Sequence, residues 1–232
     1  MTPSPWSFTF EPVFAVVAVV AGALWVHARR REPMPDHRWR AWCFFGGLGL
    51  VVAAVNSPLE TIAIEYLVLF HLLQNVIIGD WAPALVLLGL APAMRESLAS
   101  RGGRPLAWVT RPVVALPVWV VVWYVIHLGA VYDAAVRNPV LLHVEHAVLI
   151  AVGLLFWWPV LLDVPNRVPT LGRIAYVFAA FLGTVFLGLV LTFAPPIYSH
   201  YAELDVRLWG ISAAADQNLG GVLMSTEQVL VL

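Results

Sequence analysis

Apolar runs about as long as a bilayer is thick recur along the whole of this chain, and that feature leaves few folds open. In hydrocarbon, every backbone N–H and C=O must be satisfied within its own segment or by a closed sheet. A run of about 20 mostly apolar residues therefore predicts a membrane-crossing helix. Windows of that length mark seven candidate spans, at 10–28, 40–56, 62–91, 112–129, 139–162, 171–193 and 217–232. The expected fold is all-α: one polytopic membrane domain over residues 1–232, a seven-transmembrane-helix bundle. Composition agrees, with 61% hydrophobic and 12% charged residues where a soluble domain has about half and about a quarter.

Punctuation supports these boundaries. Pro58, Pro139, Pro195 and Pro196 fall at expected helix ends, where a missing N–H is harmless, and Pro83 inside the third span predicts a kink. The first apolar run, 13–26, has no basic side chain ahead of it, unlike a secretory signal, and reads as a retained helix. The seventh span reads as too short: from residue 217 it reaches about 24 Å, against a hydrocarbon core of about 30 Å. The expectation there is a truncated chain or a helix ending inside the bilayer.

All 13 basic residues are arginine. The segments after spans one, three and five hold Arg29, Arg30, Arg31, Arg38, Arg40, Arg95, Arg101, Arg104, Arg111, Arg167 and Arg173; only Arg137 and Arg207 lie on the other side. By the positive-inside rule the N-terminus is expected outside. Trp119, Trp123, Trp157, Trp158 and Trp209 read as an interfacial belt.

Several functions are excluded early. Without lysine there is no retinal Schiff base, and a lone cysteine, Cys43, makes neither a disulfide nor a thiolate cluster. The net charge of −1 gives no reason to expect a nucleic-acid partner. No phosphate loop, nucleophile elbow or C-x-x-C-H haem attachment occurs, so the chain is expected not to be an enzyme.

The chemistry gathers in the outer half. The stretch LLHVEHAVLI, 141–150, sets His143, Glu145 and His146 in an aliphatic run. His143 and His146 are three apart and share a helix face, as do His71, Gln74 and Asn75 in the third span. His127 closes the fourth span and His200 precedes the seventh, while His27 and His37 lie on the opposite side and read as interfacial. Ionisable groups at such depth are costly and mark function. Neutral imidazoles bind copper, zinc or iron when a carboxylate or carbonyl holds the second ring nitrogen. The candidate metal ligands are His71, His143 and His146, then His127, with Met224 as a soft outlier; Glu145, Asp133 and Gln74 are candidate supporting groups. Asp216 is expected to cap the seventh helix and close the site. The residues alone leave a bound metal, a haem with two axial histidines, and a metal-free polar network all open. Asp80, an expensive carboxylate deeper in the third span, has no assignment.

Three blocks, in order, resemble a known family. They are FHLLQNVIIGDWAPALVLLGLAP (70–92), HLGAVYDAAVRNPVLLHVEHAVLIAVGLLFWWP (127–159) and IYSHYAELDVRLWGISAAADQNLGGVLM (197–224). Together they resemble the CtaG family of caa(3)-type cytochrome c oxidase assembly factors, polytopic bacterial inner-membrane proteins. The resemblance implies a role in maturing a haem-copper oxidase, with oxidase subunits as partners and copper as the candidate cofactor or cargo. Haem-binding electron carrier and metal-free scaffold for oxidase subunits are the alternatives. Position 75, where the family commonly shows a second histidine after the glutamine, is Asn here.

Overall fold

The computed structural model describes residues 3–31 and 38–231; His37 and residue 232 of the seventh expected span lie outside the described residues. Every regular element described is helical. In chain order they are α1 (Pro12–Arg31), α2 (Arg38–Val55), α3 (Pro58–Glu65), α4 (Val68–Val76), a π-helical turn (Ile77–Trp81), α5 (Ala82–Gly89), α6 (Pro92–Val109) and α7 (Pro112–Ile126). Then follow α8 (Gly129–Arg137), α9 (Pro139–Leu161), α10 (Thr170–Phe193), the short α11 (Ser199–Ala202), a 3-10 turn (Leu208–Gly210) and α12 (Ala213–Val231).

Five helices are long and apolar enough to cross a bilayer, six if α6 and α7, bent by 71°, count as one broken span. Helix α12 has the length, 19 residues, but Asp216, Gln217, Asn218, Glu227 and Gln228 lower its hydropathy. It begins four residues earlier than expected, because Ser212 is its cap: the Ser212 hydroxyl accepts from Ala215 N at 3.2 Å. With those residues α12 rises about 28 Å. The seventh helix is therefore longer than its sequence pattern indicated, and its cap is not Asp216.

The expected third span, 62–91, is not one helix: it takes in the end of α3 and then a separate rod. The chain breaks at Tyr66 and Leu67, so the bilayer-length rod runs Val68–Gly89 and comprises α4, the π turn and α5. Where the sequence leads one to expect a kink at Pro83, the backbone takes a π-helical turn, Ile77–Trp81. The π turn immediately before the proline rewinds the backbone there, a usual remedy for a carbonyl that a proline ring displaces. This rod is the centre of the bundle, packed by α2, α9 and α12. Close approach is secured by glycine: a Cβ on Gly153 of α9 would meet the Gly79 carbonyl and the Pro83 ring, and one on Gly47 of α2 would meet Ala82 O at 2.7 Å. Helix α1 packs on α2 and exposes most of its surface.

Two further expectations change. Residues 92–111, read as an arginine-rich loop, are mostly the helix α6, which turns at Gly103 (φ 51°) and buries none of its side chains. Trp119, Trp123 and Trp157 are core residues and not an interfacial belt; among the expected belt only Trp209 is largely exposed.

The two ends of the bundle differ in charge. Arg40 donates to Leu88 O and Leu90 O, and Arg95 to Leu90 O, where α5 ends; Arg29 and Arg101 line a cleft at the same place. At the other end Arg207 donates to Tyr201 O and Ala202 O.

Candidate functional site

The histidine end is built where α4, α8, α9 and the α11 segment converge. Helix α4 opens after Leu67 without a capping side chain of its own. Asp216, 148 residues later, supplies the cap: its two carboxylate oxygens accept from Val68 N and Leu69 N, each at 2.9 Å. His71 follows one turn on, fully buried with Gln74 and Asn75. Helix α9 is capped by Asn138, whose Oδ1 accepts from Val140 N and Leu141 N. Two turns further on, Glu145 and His146 are both buried.

His71 and His146 meet. Their ring centres are 6.4 Å apart, nearly perpendicular. Glu145 Oε1 lies 3.4 Å from His71 Nε2 and accepts from Asn75 Nδ2 at 3.1 Å. Asn75 thus faces the same site and steadies its carboxylate. Tyr132 of α8 packs between two imidazoles, with its ring centre 4.6 Å from His71 and 5.9 Å from His127.

Hydrogen bonding fixes the tautomers of two rings. The Tyr201 hydroxyl donates to Ala63 O at 2.5 Å, so His71 Nδ1–H donates to Tyr201 at 3.0 Å. Burial holds the Tyr201 phenol far above its ordinary range, with Glu145 adding repulsion, so it keeps that proton. His127 Nδ1 faces the Trp123 carbonyl at 2.7 Å and must donate to it. In the neutral ring each Nε2 then carries a free lone pair. The Nε2 atoms of His71, His127 and His146 are buried without hydrogen-bond partners, as are Asn75 Oδ1 and the Tyr132 hydroxyl. Buried polar atoms are nearly always paired, so five orphans on side chains linked through His71 and Tyr132 mark a site adapted to something besides the chain itself. Among the described residues, no group of three His, Cys, Asp or Glu side chains stands ready to hold a metal ion.

Other residues singled out from the sequence go elsewhere. His143 does not share the site of His146. Its Nδ1 bonds the Pro139 carbonyl and its Nε2 the Glu11 carboxylate, leaving no ring nitrogen free, and its side chain is one-third exposed. Phe14 separates the two faces, stacked on His143 and tilted against His146. Gln74 turns away from the imidazoles and donates to Ala54 O and to Glu60. Asp133 holds the α11 segment, accepting from Ser199 N and Oγ and His200 N, while His200 Nε2 donates to Ile64 O. Met224 is packed in the apolar core.

Sequence reasoning missed Glu60, although a carboxylate in the largely apolar run 58–70, which it shares only with Glu65, was a signal. It is almost wholly buried beside Gln74. Burial pushes its carboxyl up to about 8, opposed by the Gln74 hydrogen bond and reinforced by Glu11 and Glu145.

A helical membrane bundle with a polar, imidazole-lined site buried at one end is the class this geometry defines. The chain belongs to the cytochrome c oxidase caa3 assembly factor family (Caa3_CtaG), whose model matches residues 20–232. Similar mycobacterial proteins are the uncharacterised Mb0105 of Mycobacterium bovis and MT0111 of Mycobacterium tuberculosis. Each is 27% identical over 224 residues, covering 83% of this chain and 32% of the relative. The uncharacterised ML1998 of Mycobacterium leprae is 25% identical over 241 residues, covering 92% of this chain and 36% of its own. The chain thus spans about a third of the length of the curated relatives it matches. No solved structure matches it.

Proposed function

We propose that this protein serves the assembly of a haem-copper cytochrome c oxidase by holding copper for its subunits at the histidine end of the bundle, without catalysing a reaction. Family membership supports the assembly role. The observation that carries the copper reading is the pair of buried, partnerless Nε2 atoms on His71 and His146, whose rings meet beside Glu145. An ion held by two imidazoles at about 2 Å sets their ring centres about 5–6.5 Å apart. The 6.4 Å between His71 and His146 lies within that range. Neutral nitrogen donors with no thiolate suit a copper ion that must later be surrendered. His71 and His146 are the donors, with His127 behind Tyr132; Glu145 and Asn75 orient the pair, Asp216 positions it through α4, and His143 with Glu11 forms its outer rim.

In this reading the protein crosses the bacterial inner membrane seven times, with α7 and α12 as the two short or polar crossings and the N-terminus outside. The arginines gathered where α5 ends support that orientation, since they mark the cytoplasmic face. The histidine end is then extracytoplasmic. A haem between the same two histidines is the weaker reading, because Tyr132 packs against the His71 ring where a porphyrin would need room.

Titration of the purified full chain with Cu(I) under anaerobic conditions tests this. About one copper per chain should be retained by the wild type and by His143→Ala, and lost in His71→Ala/His146→Ala. Equal retention in all three, or a Soret absorption band in place of copper, overturns the reading.

A further inference from the structure

The end of the bundle where the arginines gather has a feature the histidine site does not use. Helix α1 packs on α2, and α6 packs on α7. Between α1 and α6 a cleft of about 460 Å³ stays open. Ala21, Leu24 and Trp25 form its α1 wall, at the i, i+3 and i+4 spacing of one helix face. Met94 and Leu98 of α6 form the other wall, and Phe44 of α2 the floor. The Trp25 indole is fixed in place: its Nε1 donates to Gly89 O at 3.1 Å, and its ring stacks on Phe44 with centres 5.7 Å apart. Leu24 and Leu98 are exposed, so the cleft opens sideways, along the lipid-facing side of α1.

The mouth of the cleft is cationic. Arg29 of α1 and Arg101 of α6 line it, and no carboxylate among the described residues does. The arginines at this end divide by what they touch. Arg40 and Arg95 donate to the carbonyls that end α5. Arg29 and Arg101 donate to no carbonyl or carboxylate among the described residues. Arg29 lies instead over the Trp25 ring, 5.4 Å from its centre. That cation–π contact holds the guanidinium at the mouth and leaves its N–H groups available. A guanidinium presents a planar fork of donors that matches phosphate oxygens. The apolar wall continues from Arg29 back to Ala21, about 12 Å along the helix. A soluble anion would leave that wall unused, and an uncharged lipid would leave the two cations unused.

We infer that this cleft binds one anionic phospholipid, with the headgroup phosphate between Arg29 and Arg101 and an acyl chain against Trp25, Phe44 and Leu98. Basic pockets between membrane helices retain anionic lipids by this combination of charge and apolar surface. The bound lipid ties α1 to α6. Helix α1 is the least buried of the five single-helix crossings, so it has the most to gain from such a tie. It also carries Phe14 and follows Glu11, the groups that cover His143 at the other end. The lipid therefore anchors the helix that rims the histidine site. The inference does not depend on the copper reading.

Native mass spectrometry of the detergent-purified full chain tests this, with dioleoyl phosphatidylglycerol and dioleoyl phosphatidylcholine added in turn. The wild type should retain one phosphatidylglycerol per chain at a concentration at least about tenfold below that needed for phosphatidylcholine, since each basic residue beside an anionic headgroup contributes about a fivefold preference. Arg29→Gln/Arg101→Gln should remove the preference. Arg30→Gln/Arg104→Gln, which takes the same charge from the same two helices outside the cleft, should keep it. Equal retention of the two lipids by the wild type overturns the inference. So does a preference that survives the first double variant, or one lost equally in both, which would mean a diffuse attraction to the basic face. Release of the lipid by millimolar glycerol phosphate overturns it as well, because the anion alone would then be the ligand. The comparison of lipids is made on the unsubstituted protein, so a variant that fails to fold does not hide the answer.

Discussion

Asp216 is the strongest mechanical link between the last helix and the histidine site, and replacing it by alanine has a calculable cost. Both carboxylate oxygens cap α4, at 2.9 Å each. Hydrogen bonds to a charged group contribute about 1.5–3 kcal/mol each, and removing the acceptor strands donors of which Val68 N–H is fully buried. Relief from burying a carboxylate offsets part of that loss. A net destabilisation of about 3 kcal/mol follows. At about 2–4 °C per kcal/mol for a chain of this size, Asp216→Ala should unfold about 6–12 °C below the wild type. Asp216→Asn, which keeps one acceptor, should lose about half as much. Thermal unfolding in detergent, followed by circular dichroism, measures both. Because His71 sits one turn into α4, copper retention should weaken in the same order. An Asp216→Ala protein melting within about 2 °C of the wild type would refute this account of how α4 is anchored.

Glu60 makes the fold pH-dependent. Its carboxyl is raised to about 8 by burial, from the ordinary 4.5. The folded state therefore binds its proton more tightly, and the associated stability is present below about pH 4.5 and lost as pH rises through about 8. The full span is worth at most about 5 kcal/mol. Glu60→Gln should flatten the melting temperature between pH 5 and 8, and an unchanged slope would remove Glu60 as its source. Gly153→Ala should cost about 2–4 kcal/mol, because its Cβ meets the Gly79 backbone and the Pro83 ring; unfolding unaffected by this change would mean that the rod and α9 are not so closely packed. His143→Ala should slow copper uptake without lowering the final amount, measured by stopped-flow against equilibrium loading. A lower final amount would return His143 to the ligand set.

The apolar runs and the prolines made the helical membrane pattern legible, because bilayer length and backbone satisfaction act on each segment alone. The break between α3 and α4 was not legible. Tyr66, Leu67 and Val68 carry no glycine or proline, and the cap that starts α4 comes from Asp216, 148 residues away. The same limit applies to the polar residues around the site. Helix periodicity put His143 and His146 on one face, but it could not show that Glu11 would occupy His143 or that Phe14 would stand between the two. Gln74 was on the right face and took a different partner, Glu60. Asn75 looked like a missing ligand and holds the Glu145 carboxylate. Spacing along a helix identifies which side chains point inward; only the packing of distant helices decides what each one meets.

The central claim is that imidazoles from α4 and α9 grip one copper ion. X-ray absorption spectroscopy of the Cu(I)-loaded full chain addresses it directly. The expected spectrum shows two or three nitrogen neighbours at about 2 Å with the outer-shell scattering of imidazole, lost in His71→Ala/His146→Ala. A copper ion surrounded by sulfur or by oxygen alone, or a wild-type protein that retains no copper, would contradict it.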